Sequence, residues 1–223
     1  MNPPGSVQAL FDLWATNGRA ESMEAGHRPR ALTALAALSL RETDKVLDLG
    51  CGNGWITRWL GGRLTAGSAV GVDLSPEMVA RARSLSEEGC RASFHEGSLE
   101  VLPFDDGYFD HVVSMEVFYY ADDLLAALRE SLRVLRPGGS VTICVDFYEE
   151  NAESHSWPER TGLKMNLLSE AAWMEALRTS GFQFAHGFRC LDPGHGPQTE
   201  AGSSAFTEDV GTLVVRGSRP LEP

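Results

Sequence analysis

The chain has no Cys-x-x-Cys pair: its four cysteines, Cys51, Cys90, Cys144 and Cys190, stand far apart. That spacing excludes the usual zinc and dithiol redox frameworks and predicts reduced thiols in a cytoplasmic protein. No apolar run reaches the 18 residues of a membrane-spanning helix, and residues 1–6 show no basic region leading into an apolar core. Basic residues are scarce, with 19 Lys and Arg against 31 Asp and Glu and a net charge of −12. Such a surface repels phosphate backbones and anionic lipid, so nucleic acid and membrane partners are disfavoured. Arg28, Arg30 and Arg41 are too scattered to make a basic patch. There is no internal repeat and no sign of a second domain. At 223 residues and 43% hydrophobic content, one α/β domain with a full core is expected. Nothing in the pattern specifies an oligomeric state.

What is present is concentrated first at residues 45–54. The apolar run Val46, Leu47, Asp48, Leu49 meets glycines at alternating positions, Gly50, Gly52 and Gly54, and helical spacing follows from Trp55 to Leu60. This reads as a buried strand, a tight turn and a helix start, the first crossing of a nucleotide-binding α/β unit. A second strand at 69–74 closes on Asp73, where a carboxylate can accept both hydroxyls of a ribose. The plainer role for Asp73 is to cap the helix that begins after Ser75 and Pro76. Trp55 stands where a dinucleotide-binding glycine pattern needs its third glycine, which argues against nicotinamide.

Around this unit the chain alternates. Ser6 is placed to cap a helix that stops at Asn17 and Gly18, and a second helical pattern follows from Leu32 to Leu38. Residues 19–27 lack periodicity and read either as a surface connector or as a lid over the glycine turn, with Met23 and His27 as its contacts. Strands are expected at 91–96, 109–115 and 140–145, with Asp122 capping a helix before a turn at 136–139. Residues 147–168 are polar and aromatic without a period, the mark of a functional loop at a strand's carboxyl end. Ser169 caps a last helix, and strands at 182–191 and 211–216, joined by a long loop at 192–208, form an antiparallel hairpin. The fold class is therefore α/β: a doubly wound, seven-stranded, mostly parallel sheet with a C-terminal antiparallel hairpin.

The motifs VLDLGCGNG (46–54), GVDLS (71–75), LPF (102–104), FDHVVS (109–114) and RVLRPGG (133–139), in this order, resemble a class I S-adenosylmethionine-dependent methyltransferase of the small-molecule type, over residues 40–217. The resemblance implies one domain over 1–223. Its parts are a helical lid (1–40), a cofactor-binding core (41–146), a substrate-side loop (147–168) and a final helix with the edge hairpin (169–217). It implies S-adenosylmethionine as cofactor and S-adenosylhomocysteine as product. Gly50, Cys51 and Gly52 would pass under the methionine part, whose amino group would meet backbone at Gly50 and Met115 with help from Asp48. Asp73 would bind the ribose, Leu74 would pack on the adenine, and Leu99 would offer its N–H to the ring. Ser98 stands where many relatives carry an aspartate that accepts from the adenine amine.

A sulfonium methyl is already electrophilic, so the protein has chiefly to aim a nucleophile and exclude water. Candidate acid–base residues are His155, Tyr119 and Glu149, and candidate acceptor contacts are His27, Glu116, Tyr119, Tyr120, Glu150 and Trp157. The plain alternatives are packing for the tyrosines and solvated surface for Glu149, Glu150 and His155. Ser114, Met115, Glu116 and Val117 stand where amide and nucleobase N-methyltransferases carry Asn/Asp-Pro-Pro-Tyr, and no metal set is evident. The expected partner is a small-molecule acceptor. The rival readings are a cofactor-binding protein without transfer, an aminopropyl transferase and an RNA methyltransferase.

Overall fold

The computed structural model describes residues 5–191 and 210–221. Its strands are β1 (Lys45–Leu49), β2 (Ser68–Asp73), β3 (Ala92–Glu96), β4 (Phe109–Met115), β5 (Leu135–Val145), β6 (Gln183–Cys190) and β7 (Thr212–Ser218). They form one sheet in the order β3-β2-β1-β4-β5-β7-β6, parallel from β3 to β5, with β7 antiparallel to both β5 and β6. The order reverses between β1 and β4, so a crevice opens at the carboxyl ends of those two strands, where ligands bind in such sheets.

The helices are α1 (Val7–Thr16), α2 (Arg19–Ala36), α3 (Trp55–Gly61), α4 (Pro76–Ser84), α5 (Leu124–Val134), α6 (Trp157–Thr161) and α7 (Glu170–Thr179). Ser6 and Ser169 cap α1 and α7 as the sequence predicts, while Ser75 rather than Asp73 caps α4. The helix α5 is capped by Asp123 rather than Asp122. The central strands are buried on both faces: Val46, Leu47, Val112, Val141 and Ile143 are fully enclosed. No helix among the described residues is long and apolar enough to cross a membrane.

Three expectations change. Residues 19–27 are not a connector but the first half of α2. Its buried residues are mostly alanines, Ala20, Ala31 and Ala34, and its Met23, Glu24 and His27 face a hollow, so no apolar stripe marks it. The strand β5 begins at Leu135, and its pairing with β4 shifts between Phe109/Leu135 and His111/Ser140, so 136–139 bulge outward rather than separate helix from strand. Within 147–168 lie a 3-10 turn (Ala152–Ser156) and α6. The loop expected at 192–208 lies outside the described residues.

Candidate active site

The glycine turn is held from below by β2. The N–H groups of Gly50 and Cys51 both donate to the Val72 carbonyl, at 2.7 and 3.0 Å. Gly50 has φ +68°, and a Cβ there would come within 2.2 Å of the Val117 side chain. Gly52 has φ +53°, yet a Cβ there would meet nothing within 4 Å: it points into open space. Gly52 also lines a cavity of about 600 Å³ between the strand tips and the two N-terminal helices.

The cavity brings together Asp48, Gly50, Cys51, Gly52, Asp73, Leu74, Ser98, Leu99 and Met115, every residue expected to touch the cofactor. The carboxylate of Asp73 accepts the N–H of Gly52 at 2.8 Å and of the α4 cap Ser75 at 2.9 Å, so it ties the glycine turn to the start of α4 and lines the cavity. Burial pushes its pKa up to about 6 against the pull of these two N–H groups. Asp48 is also raised, to about 7, by burial, although it accepts the Thr57 hydroxyl at 2.6 Å. Burial pushes the Cys51 thiol well above its ordinary range, which disfavours the thiolate.

The lid is closed. Glu24 on α2 accepts from the Asn53 side-chain amide in the glycine turn at 2.9 Å, and Glu21 pairs with Arg81 on α4 at 2.9 Å. The Arg28 guanidinium sits 5.4 Å from the centre of the Trp55 ring. Met23 and His27 line the cavity.

Glu116 follows β4 with φ +64°, one of two non-glycine residues in the left-handed region among those described. Such a conformation costs about 1–3 kcal/mol and persists only where the surroundings impose it. Here Glu116 accepts the Asp146 N–H with one oxygen and the Tyr119 hydroxyl, at 2.9 Å, with the other, joining the tips of β4 and β5. Burial and the Asp146 charge push its carboxyl well above the ordinary range. Burial likewise raises the hydroxyls of Tyr119 and Tyr120 and lowers the pKa of His27. A second cavity, about 310 Å³, adjoins the first and shares Phe11, Met23, His27, Glu116 and Tyr120 with it. Trp14, Tyr119, Asp146 and Trp157 complete its inner wall.

His155, Glu149 and Glu150 line neither cavity. The chain after Tyr148 turns to the surface: all three are exposed, Glu150 accepts the Glu170 N–H at the start of α7, and a His155 ring nitrogen lies 3.0 Å from the Glu149 carbonyl. Three lining residues escape the motif pattern. Glu100 shares a hydrogen bond with Ser98, so a carboxylate stands two positions beyond the place where the family pattern puts one. Phe11 comes from the lid and Asp146 from the end of β5; an acid closing a strand at a sheet's carboxyl edge was the available signal for Asp146.

Residues 47–143 match the family model described as Methyltransferase domain. The protein named the putative methyltransferase in a complex with the Haloferax volcanii Trm112 methyltransferase activator is 38% identical, with a TM-score of 0.86 over 94% of this chain and 97% of that one. The malonyl-[acyl-carrier protein] O-methyltransferase of Erwinia billingiae is 34% identical over 136 residues, 60% of this chain. The chain spans about half the length of the curated relatives it matches, 52% in that case. An S-adenosylmethionine-dependent methyltransferase of Mesorhizobium loti shares the fold at 23% identity, with a TM-score of 0.65 over 87% of this chain and 98% of that one. With the seven-stranded sheet and the motif order, these matches establish that the chain belongs to the class I S-adenosylmethionine-dependent methyltransferases.

Proposed function

We propose that this protein transfers a methyl group from S-adenosylmethionine to a small-molecule acceptor. The observation that carries the reading is the open space over Gly52, bordered by the Asp48 and Asp73 carboxylates and closed by the lid. The fit to the cofactor is direct. A chain with a cationic amino group and a sulfonium can pass over a glycine turn that has no Cβ in the way. Asp48 supplies the opposing charge, and Asp73 has carboxylate lone pairs left for the ribose hydroxyls beyond its two backbone bonds. Leu74 and Leu99 supply apolar faces for the adenine. Glu100, beside Ser98, takes the place of the family's aspartate toward the adenine amine.

When bound, the cofactor supplies the electrophilic methyl. The protein's share is to hold both molecules in line and keep water out. In this division residues 1–40 close the site, 41–146 hold the donor, and the acceptor enters the 310 Å³ cavity between the lid and 147–168, with 169–217 completing the sheet. Tyr119, Tyr120, His27, Glu116 and Trp157 are then acceptor contacts. Methyl transfer from labelled S-adenosylmethionine to a panel of small acceptors, run beside calorimetry with S-adenosylhomocysteine, tests this. Transfer to one acceptor class supports it; tight product binding with no transfer to any acceptor favours a cofactor-binding protein instead.

The Haloferax relative's partner suggests a further point. This chain engages a small activator protein of the same kind, for which co-expression and size-exclusion chromatography give the test: co-elution supports it, separate elution removes it.

A further inference from the structure

We propose that the acceptor is an amine, bound as a cation with its nitrogen against His27, Glu116 and Asp146; this rests on the methyl-transfer reading above. One ligating atom from each of these three side chains lies within 4.8 Å of the others. Asp146 is fully buried; its Oδ1 accepts the Thr212 hydroxyl at 2.6 Å, while its Oδ2 accepts no hydrogen bond among the described residues and has the Arg30 guanidinium at 3.5 Å. A buried acceptor atom without a donor is costly, and an ammonium N–H would satisfy it. Two carboxyls this close also repel each other; the Arg30 guanidinium offsets part of that repulsion, and a cation in the cavity would offset more.

The walls suit the same guest. Phe11, Trp14, Tyr119, Tyr120 and Trp157 surround the cavity, with Tyr119 and Tyr120 ring centres 4.6 Å apart, Phe11 and Tyr120 5.5 Å apart, and Tyr119 and Trp157 6.4 Å apart. Aromatic faces attract an alkylammonium, and more strongly when water is excluded. The exposed Arg19 and Arg160 also line the cavity and repel a cation on their own side of it.

The chemistry closes without a metal. The bound ammonium gives a proton to a ring nitrogen of His27, which burial keeps neutral. The freed nitrogen lone pair forms the N–C bond as the S–C bond breaks, its electron pair remaining on sulfur as a thioether. The product is an N-methylammonium, and the imidazolium proton passes to solvent.

Calorimetry on the protein saturated with S-adenosylhomocysteine tests this, using phenethylamine and its uncharged analogue 2-phenylethanol as probes. Phenethylamine should bind at one site, at least about tenfold more tightly than the alcohol. Glu116→Gln should bring the amine close to the alcohol, and Trp157→Leu should weaken the amine about tenfold. The wild-type comparison of the two probes stands even if a variant fails to fold. Equal affinity of the two probes, or stoichiometric Mn²⁺ binding abolished by His27→Ala with no amine binding, would overturn the proposal. Absence of S-adenosylhomocysteine binding would instead strike the underlying reading.

Discussion

The halves of this site that we assign to donor and acceptor are built by different means. The donor half is backbone. A glycine turn hangs by two N–H groups from the Val72 carbonyl, and Asp73 is fixed by two more N–H groups. The acceptor half is side chain: Phe11 and Trp14 from α1, His27 from α2, Tyr119 and Tyr120 after β4, Asp146 after β5 and Trp157 from α6. A backbone cradle needs particular residues in a row, because only glycine tolerates both positive φ and close approach. A side-chain cavity needs only that distant segments fold to one place. The first can serve one ligand across many relatives, while the second can change its guest by changing single side chains.

Substitutions separate the halves, and the largest effect falls on the donor side. Asp73→Ala removes the carboxylate that would meet the ribose and should weaken S-adenosylhomocysteine binding about a hundredfold by calorimetry, as expected for two hydrogen bonds to a charged group. Equal affinity would remove the ribose role. Next, pH: Asp73 and Asp48 have pKa values of about 6 and about 7 in the folded protein, both raised by burial. Cofactor affinity that needs their ionised forms is complete only above about pH 8 and is lost as pH falls through 7 and then 6. A decrease of about tenfold between pH 8 and pH 5 is expected if Asp73 alone must be ionised, and a larger one if Asp48 must be as well. A flat profile would mean that neither charge contributes.

Gly52→Ala should cost about tenfold in S-adenosylhomocysteine affinity, because the added methyl group meets no protein atom and enters only the ligand's space. Its left-handed φ adds about 1 kcal/mol of strain, so the melting temperature must be measured alongside. Trp157→Leu should alter S-adenosylhomocysteine affinity by less than about twofold while weakening acceptor binding; an equal loss of both would erase the division between the halves. The smallest effects belong to His155→Ala and Glu149→Ala, which should leave transfer rates within about twofold, since both side chains are exposed and line neither cavity. A large loss of transfer in either would return the acid–base role to the surface loop.

The same contrast explains what could be read in advance. The sheet, its edge hairpin, the glycine turn and Asp73 follow from local patterns: alternating glycines, an acid at a strand tip, serines before helices; the family resemblance adds the other residues expected at the cofactor, and all nine line one cavity. The first half of α2 was obscure because its inner face meets a hollow through Met23, Glu24 and His27 rather than a core through leucines. Glu116 could be listed as a contact, but its left-handed backbone is imposed by Asp146 and Tyr119, which pull its two oxygens from different segments. His155 and Glu149 looked chemically able and were misplaced, because polarity alone does not say which way a surface turn faces.

A crystal structure with S-adenosylhomocysteine bound tests the division most directly. The homocysteine should lie over Gly50–Gly52 with the ribose hydroxyls on Asp73 and the sulfur facing the cavity of Tyr120 and Trp157. A product molecule lying in that aromatic cavity, or bound with its ribose away from Asp73, would contradict it.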